Sequence, residues 1–583
     1  MEDLSEPLLA EIIKRITRTS DLNSLSLVSK RLYKVEADER GIICVGCGLN
    51  PAPEALSSLC SRFPNLWKVE INYSGWSSDQ GNQLENQGLH VLSSHCPSLK
   101  DLTLSFCSYI DDSGLGYLAN CKKLMALRLN SAPAISSRGL SSVAIGCKSL
   151  STLHLTDCMN VRSMETVLAK QEFERAGRWY EIEPEKLELW CPGNTGVEWL
   201  EYLGKSGSLV ELVVKDCEGL SHYDLLKFGP GFLKLQKFEF DIKNDYYWLS
   251  GMRDPSYNAH YPHKYDGICC ENMKDLRLAK MLTHSEIGLR FLLRTCKALE
   301  KLSLDYVIGL DESEMIALFQ NCSNLRSISL QLMPLRCGFD FRTPLTDDSL
   351  KALSLFCPML QVVELTFACC SSMYPTEIGF TQEGIVKLIQ SCPLRAVKLN
   401  GASILYDDGM KGISSAQFLE RLELVDCKRI TDAGITFITR APCLTSLTLH
   451  KCKNVSNEGM AELARSQKLE SLTVKGCRGI SEEAMQGAAK SVYYSAKVEI
   501  PYVIKGMSKR LGYSPDTMIC FWLNCSLSSS GISCRATNNI NLPRSVYRVP
   551  LENESLSYTD NRQERRTYKF TKGHATCKTY SVP

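Results

Sequence analysis

A short pattern of leucines recurs along most of this 583-residue chain and limits what it can fold into. The segments SLKDLTLSFCSYIDDSGL, FLERLELVDCKRITDAGI and CLTSLTLHKCKNVSNEGM share the form L-x-x-L-x-L-x-x-C-x-x-I/V, with a glycine soon after. Successive units begin 25 residues apart at Leu419, Leu444 and Leu469. About fifteen units fit this frame, so most of the chain forms one repeating architecture. The looser matches begin near Leu66, Pro184, Leu235 and Met273.

The spacing within one unit predicts its local structure. The x-L-x-L-x stretch alternates with period two, so it is a short strand whose leucines face one side. Segments such as DAGITFITRA carry apolar residues at helical spacing and predict a helical return limb. Because one unit cannot bury its leucines alone, the units must stack. We therefore expect an α/β solenoid shaped like a horseshoe, with a parallel sheet on the concave face and helices on the convex face.

This repeat resembles the cysteine-containing subtype of leucine-rich repeat, which is typical of F-box proteins. Its clearest copies lie between Leu99 and Val161 and between Leu394 and Ile480. The chain has 27 cysteines, and most of them recur at one position of the repeat. Buried, reduced thiols explain that recurrence better than disulfide bonds do.

A second pattern precedes the repeats, within residues 3–35. Ser5 is a plausible N-cap and Pro7 suits a first helical turn. Two apolar stripes separated by a polar break predict two short amphipathic helices, too few to close a core of their own. They must therefore pack on the solenoid or on a partner. The stripes are Leu8, Leu9, Ile12, Ile13 and Ile16, then Leu22, Leu25, Val28, Leu32 and Val35.

The same segment resembles an F-box from Leu4 to about Val35, most specifically at VSKR from Val28 and at Tyr33. It departs from the usual Leu-Pro start, because Ser5 follows Leu4 and the proline comes at Pro7. The resemblance implies docking on a Skp-type adaptor, which tethers a cullin–RING ubiquitin ligase, by helix-in-groove recognition. A helical cap on the solenoid is the alternative. The residues assigned to adaptor binding are Leu4, Pro7, Leu8, Leu9, Ile12, Ile13, Leu25 and Val28.

These patterns divide the chain into three parts: an all-α F-box at 1–45, the solenoid at 46–498 and a basic tail at 499–583. The tail has no repeat pattern, and we expect it to be poorly ordered. The N-terminus lacks the basic region and apolar core of a signal peptide, and no apolar run is long enough to span a bilayer. We expect a soluble protein of the nucleus or cytoplasm that does not associate with membranes.

Composition and motifs argue against several classes of function. Lys and Arg number 67 against 65 Asp and Glu, which gives no general reason to expect nucleic-acid binding. The chain contains no phosphate-binding loop, nucleophile elbow or RING-type cysteine spacing. His260 and His263 with Cys269 and Cys270 could hold a metal, but loop histidines near a repeat cysteine explain them better. We therefore expect no enzymatic activity, metal or cofactor.

The concave face can be read from the strand positions between and after the two leucines. These positions are mixed in charge and rich in hydroxyl groups, as suits a protein partner. The unit near Pro184 would add Glu188 and Trp190 to this face. A long insertion, 241–270, adds tyrosines and a tryptophan of the kind found at interface hot spots, although it could instead pack on neighbouring repeats. The predicted substrate-binding residues are Glu239, Trp248, Arg253, Tyr257, Tyr261, Arg277 and Asp305.

The leading functional hypothesis is that the chain is the substrate receptor of an SCF-type (Skp–cullin–F-box) ubiquitin ligase. On this hypothesis the F-box holds the ligase and the solenoid holds a protein substrate, whose identity the sequence does not give. Two alternatives stay open: a non-degradative interaction scaffold, and a small-molecule sensor like the plant hormone co-receptors of similar architecture.

Overall fold

Sixteen strands form one parallel sheet in which every strand pairs with its neighbour along the chain. The computed structural model describes residues 4–16, 18–46, 52–75, 82–161, 196–217, 220, 224–242, 270–282, 289–333, 335–337, 340–367, 370 and 375–496, and three strands near the C-terminus. The strands of the sheet are β1 (Ile42–Gly46), β2 (Lys68–Asn72), β3 (Asp101–Ser105), β4 (Ala126–Asn130), β5 (Thr152–Thr156), β6 (Glu211–Cys217), β7 (Lys237–Ile242), β8 (Asp275–Leu282), β9 (Lys301–Ile308), β10 (Ser327–Leu332), β13 (Val362–Phe367), β14 (Ala396–Asn400), β15 (Arg421–Val425), β16 (Ser446–His450), β17 (Ser471–Lys475) and β18 (Ser491–Ser495), while β11 (Leu335–Cys337) and β12 (Asp340–Arg342) form a separate antiparallel pair.

The strands pair in the register that the repeat predicts. Leu102 of β3 pairs with Leu127 of β4, which pairs with Leu153 of β5, and each is at most 2% exposed. Full burial of such a side chain stabilises a fold by roughly 1.5–3 kcal/mol. Because each leucine packs against the repeats on either side, this stabilisation belongs to the stack, and the predicted solenoid is confirmed.

Helices alternate with the strands and link neighbouring repeats through their first turns. Asp112 accepts hydrogen bonds from the backbone N–H of Ser136 (2.7 Å) and from its hydroxyl (2.5 Å) in the next repeat. Asp432 does the same for Ser456, at 2.7 and 2.6 Å. None of the helices in the described ranges is long and apolar enough to cross a membrane. The helices that follow the strands are Ala52–Arg62, Asn86–His95, Asp112–Leu118, Ser137–Gly146, Glu198–Ser206, Arg290–Thr295, Glu312–Asn321, Asp347–Phe356, Gln382–Ser391, Asp407–Ile413, Asp432–Ile438 and Asn457–Ser466, with 3-10 turns at Asp224–Leu233, Pro375–Ile378 and Glu483–Met485.

In ten of the repeats that the structure describes, a residue near the end of the strand or just after it has a left-handed backbone. In eight of them the residue is not glycine, although this backbone conformation costs such residues about 1–2 kcal/mol. A hydrogen bond to the next repeat compensates for this cost. At Asp426, for example, the backbone N–H donates to the carbonyl of His450 in the next strand at 2.7 Å. The turn thus extends the hydrogen bonding between repeats and directs the next side chain inward. The left-handed residues are Phe106, Ser131, Asp157, Asp216, Lys280, Tyr306, Gly401, Asp426, Lys451 and Gly476.

Most of the cysteines that the structure describes occupy two positions of the repeat, not one. The first directly follows the left-handed residue, where the Cys427 thiol donates to the carbonyl of Leu399 in the preceding repeat at 3.6 Å. The second is the helix C-cap, where Cys322 donates to the carbonyl of Cys296 at 3.5 Å. Both positions are buried, so the thiols act as small apolar groups that also satisfy a backbone carbonyl. The first position holds Cys107, Cys158, Cys217, Cys427, Cys452 and Cys477, and the second holds Cys96, Cys147, Cys296, Cys322, Cys357 and Cys392.

One predicted repeat is wrong and two strands were missed. His154 of β5 pairs directly with Val213 of β6, so no strand from the unit near Pro184 lies between them. Glu188 and Trp190 lie outside the described residues. β1 and β18 flank the predicted units, and β1 buries isoleucine and valine where the repeat has leucine. Because β1 begins at Ile42, the solenoid starts inside the range 1–45 assigned to the F-box.

The N-terminal segment has three helices instead of the two predicted: α1 (Glu6–Lys14), α2 (Thr19–Ser26) and α3 (Lys30–Glu39). Ser29 ends the second apolar stripe early, because its hydroxyl caps α3 by accepting from the N–H of Leu32 at 3.2 Å. The expectation that these helices lack a core is also wrong, since they bury a small cluster separate from that of the solenoid. The cluster consists of Leu9, Ile13, Leu32 and Val35.

Part of the basic tail is ordered. Strands β19 (Ser555–Thr559), β20 (Glu564–Thr571) and β21 (His574–Ser581) form an antiparallel sheet. These strands were not predicted from the sequence. They are rich in threonine and tyrosine, which favour strands, and two residues separate β20 from β21.

Burial of the repeat thiols predicts their reactivity. It raises the pKa of Cys107 and Cys427 to about 12, so almost no thiolate exists at a pH of about 8. We expect both residues to resist iodoacetamide in the native protein, while the exposed Cys443 reacts quickly and serves as an internal control. Mass mapping of a native time course measures this. Equal rates at Cys427 and Cys443 would contradict the buried positions.

Candidate functional site

The N-terminal module exposes an apolar surface, here called the apolar face: Leu8, Ile12, Leu27 and Val28. Their exposed fractions are 55%, 42%, 86% and 71%. Leu8 and Ile12 lie one turn apart on α1, and Leu27 and Val28 form the turn between α2 and α3. Several strongly exposed apolar residues within one short module are typical of a surface that another molecule covers.

The predicted adaptor-binding residues divide between this face and the core of the module. Leu8, Ile12 and Val28 belong to the face, and Pro7 is also exposed. Leu9 and Ile13 are only 1% and 3% exposed, so we correct their assignment: they are core residues that cannot contact a partner. Their stripe was read as one surface because the third helix, which covers half of it, was not predicted.

Leu4 and Leu25 lie between these two groups, partly buried against the same core. Leu27 was missed, although it adjoins Val28 in the sequence. The signal that could have found it is the VSKR stretch itself. Ser29 is a helix start signal, and the residues just before it are therefore in a turn and more exposed than residues within a helix.

A buried ionic cluster joins the module to the solenoid. The Glu36 carboxylate of α3 is fully buried and forms ion pairs with Arg40 and with Arg62, the latter at 2.8 Å. Arg62 ends the helix Ala52–Arg62, which belongs to the solenoid. Its guanidinium also lies 4.0 Å from the ring centre of Tyr33 and 4.8 Å from that of Phe63. The apolar face is thereby held in a fixed orientation relative to the first repeats.

The floor of the concave face contains the three predicted substrate residues that the structure describes, and it brings them together. Arg277 of β8 lies between Glu239 of β7, at 3.5 Å, and Asp305 of β9, at 2.8 Å. Lys215 contacts the same Glu239 oxygen at 3.2 Å. Burial raises the pKa of Asp305, and the charge of Arg277 partly offsets that shift.

A second ionic group adjoins the first. Lys280 lies 3.0 Å from Asp241 and 3.5 Å from Asp216. Burial raises the pKa of Asp241, and Lys280 opposes the shift. The first group alternates positive and negative side chains on four neighbouring strands, whereas in the second a single lysine faces two carboxylates. Each cation at the centre of the floor is therefore already paired with a carboxylate.

The remaining predicted substrate residues, Trp248, Arg253, Tyr257 and Tyr261, lie outside the described residues. The same holds for three members of the possible metal group, His260, His263 and Cys269. Its fourth member, Cys270, is fully buried beneath β8 as a repeat cysteine. Within the described ranges, no three His, Cys, Asp or Glu side chains are grouped so that they could hold a metal.

Comparison with known proteins places the repeats in context. A family model described as Leucine Rich repeat matches residues 95–119 and 415–438. Two proteins of Arabidopsis thaliana are each 22% identical: Coronatine-insensitive protein 1 over 61% of this chain and 55% of its own length, and GRR1-like protein 1 over 66% and 61%. The matches thus span less than two thirds of either relative. They support the F-box/leucine-rich-repeat family that the sequence resembles.

Solved structures resemble the chain only loosely. The yeast Rad7 and Elc1 complex contains a chain with a TM-score of 0.39 and 15% identity, covering 83% of this chain and 92% of that one. A chain of the TLR13–ssRNA13 complex gives a TM-score of 0.35 and 16% identity, over 74% and 46% of the two chains.

The ionic junction yields a test of how the module is held. Replacing Glu36 with alanine leaves two arginines close together without their carboxylate, so we expect a loss of about 3–5 kcal/mol. Lys14→Ala is the matched control, because it breaks the exposed Lys14–Glu39 pair of the same module (3.3 Å) and should change stability little. Chemical unfolding and hydrogen exchange of α1–α3 measure both. Equal protection in the two variants would show that the junction does not hold the module.

Proposed function

We propose that this leucine-rich-repeat chain, which is similar to F-box/leucine-rich-repeat proteins, is the substrate-recognition subunit of an SCF-type ubiquitin ligase. The observation that carries this proposal is the apolar face. Leu8, Ile12, Leu27 and Val28 lie exposed on a module that already has its own core. A surface not needed for folding is available for a partner.

The adaptor is a Skp-type protein that binds this face. A groove that receives one side of α1 and the turn before α3 would cover all four residues, which is helix-in-groove recognition. Burying them would remove four exposed aliphatic side chains of the module from water. Pro7 borders the same side of α1 and contributes to the rim of the contact.

The solenoid binds the substrate and supplies no chemistry of its own. Holding a substrate beside a charged conjugating enzyme raises the effective concentration of its lysines near the reactive thioester. That role depends on a fixed distance between adaptor and substrate. The buried Glu36 cluster supports it, because it joins the module to the first repeat through charges that must stay paired.

The substrate site that we propose combines the central floor with the insertion at 243–269. Glu239, Arg277 and Asp305 already satisfy one another, so they fix shape and register and add little affinity. Binding energy must come from anchors such as Trp248, Tyr257 and Tyr261, with Arg253 beside them. Hot spots are rich in these residue types, and truncating one costs about 2 kcal/mol or more.

Substituting the apolar face tests the ligase link. Leu8→Asp with Ile12→Asp places two charges in the contact, and we expect loss of Skp-type adaptor in a pull-down from co-expressing cells. Both side chains are exposed, so the fold should persist. Leu355→Asp is the matched control, since Leu355 is 64% exposed on a helix of the solenoid, far from the module in sequence.

Circular dichroism and thermal unfolding must agree among the parent, the double variant and the control. If the folded double variant still captures the adaptor, the assignment of the module is wrong and a non-degradative scaffold becomes the better description. Ile13→Asp should unfold the module instead, because Ile13 lies in its core.

Replacing residues 243–269 with a short Gly/Ser linker tests the substrate site. We expect substrate capture, measured by affinity purification under proteasome inhibition, to fall to background while adaptor binding stays intact. The linker variant must unfold like the parent. A stable variant with unchanged capture would move the site elsewhere on the solenoid, and a clear loss of stability would show that the insertion packs as part of the fold.

A further inference from the structure

The last repeats carry basic residues where the earlier ones do not. The residue after the buried cysteine is Lys428, Lys453 or Arg478 in three consecutive repeats. Lys453 and Arg478 are exposed, and Lys428 is half-buried. This charge is confined to one end of the solenoid. The equivalent residues of the N-terminal repeats are Ser108, Pro133 and Met159.

The register of the sheet aligns these side chains. β15, β16 and β17 pair so that Val425, His450 and Lys475 are neighbours, and the turns after them follow the same register. Adjacent strands are about 4.8 Å apart, so the three basic residues form a column roughly 10 Å long. Lys451 and Lys475, nearer the strands, widen the column toward the concave face. We call Lys428, Arg429, Lys451, Lys453, Lys475 and Arg478 the basic rim.

Two residues of the rim, Lys453 and Arg478, form no ion pair with any residue that the structure describes. Lys428 lies 3.5 Å from Asp426. Two other rim residues contact aromatic rings: Arg429 lies 4.8 Å from the ring centre of Tyr406, and Lys475 lies 5.5 Å from that of Tyr493. A ring face attracts a cation without removing its charge.

The acidic residues nearby border the rim on the side of the helices. Asp407 and Asp432, at the starts of the following helices, accept hydrogen bonds from Thr431 and Ser456 of the next repeats. Other carboxylates, such as Glu458 and Glu482, are exposed beside the rim, on the side of the helices. The rim is therefore a positive strip with a negative border.

We propose that the basic rim binds a short acidic segment, rich in aspartate and glutamate, of a protein partner. This inference rests on the proposed function and specifies the substrate class. Like charges about 5 Å apart repel one another, and an acidic segment would relieve that repulsion. A nucleic acid or a membrane extends beyond a strip of this length and would meet the carboxylates beside it. A short peptide segment fits within the border.

The probe is a fluorescein-labelled peptide of twelve residues that contains six Asp and Glu, titrated with the full-length protein by anisotropy. Its comparison peptide carries Asn and Gln at those six positions. We expect only the acidic peptide to bind, and roughly 0.5 M salt to weaken that binding at least about tenfold, because exposed charges are screened.

The double substitution Lys453→Glu with Arg478→Glu should lower the affinity for the acidic peptide by about tenfold or more. Lys123→Glu with Lys148→Glu is the matched control, since it makes the same change in net charge at exposed sites on N-terminal repeats and should bind like the parent. Lys453→Gln with Arg478→Gln, expected to lie between, keeps the test valid if charge reversal disturbs the fold.

Three results would overturn the inference: equal affinity in the rim and control variants, equal binding of the Asn/Gln peptide, or tighter rim-dependent binding of poly-uridine RNA or phosphatidylserine vesicles. The adaptor pull-down is run on the same variants. If the rim binds the acidic peptide but the parent captures no adaptor, the proposed ligase role is wrong and the proposed binding of an acidic segment is retained. If the adaptor binds but the peptide does not, only the proposed binding of an acidic segment is wrong.

Discussion

Stacking of inward leucines is the constraint on which the rest of this protein depends. Leu422, Leu447 and Leu472 occupy the same position of three successive strands and are at most 1% exposed. Each is buried only because the next repeat is present, so a single unit has no interior. This requirement fixes one face of every strand. Whatever the protein recognises must use the positions that stacking leaves free: the other face of the strands, the turns after them and the two ends of the array.

The same constraint explains what the sequence could and could not reveal. Register follows from leucine spacing, so the neighbours of Arg277 on the concave floor could be predicted. Period-two alternation over four or five residues is weaker evidence, because only stacking decides whether such a segment becomes a strand. The segment near Pro184 alternates, yet β5 pairs directly with β6. By contrast, β1 lacks the leucines and still joins the sheet. Likewise, the apolar stripe of α1 could not separate Leu8 from Leu9 until a third helix was known to cover one side.

Charge pairing is harder to predict than register, because it depends on how far long side chains reach. Neighbouring strands place Glu239, Arg277 and Asp305 side by side, but only the positions of their side chains show that the three charges form ion pairs. The junction uses the same chemistry in a less exposed setting. Glu36 and its two arginines make a contact that apolar residues could replace for stability alone, whereas ion pairs also require one particular geometry. We infer that this junction sets orientation, which a ligase receptor needs more than it needs extra stability.

Electrostatic recognition requires charge that the protein has not already neutralised. At the centre of the floor each cation has a carboxylate within 3.5 Å, so a charged ligand there would have to displace an existing partner and would gain little. At the last repeats Lys453 and Arg478 are exposed and lie outside any ion pair among the described residues, so a ligand there displaces only water and salt. On our two proposals, long-range attraction would come from one end of the array and apolar anchoring from the insertion at 243–269. A substrate that uses both sites would be held at two separated points. Binding would then depend on the distance between the acidic and the apolar segments of the substrate as well as on their composition.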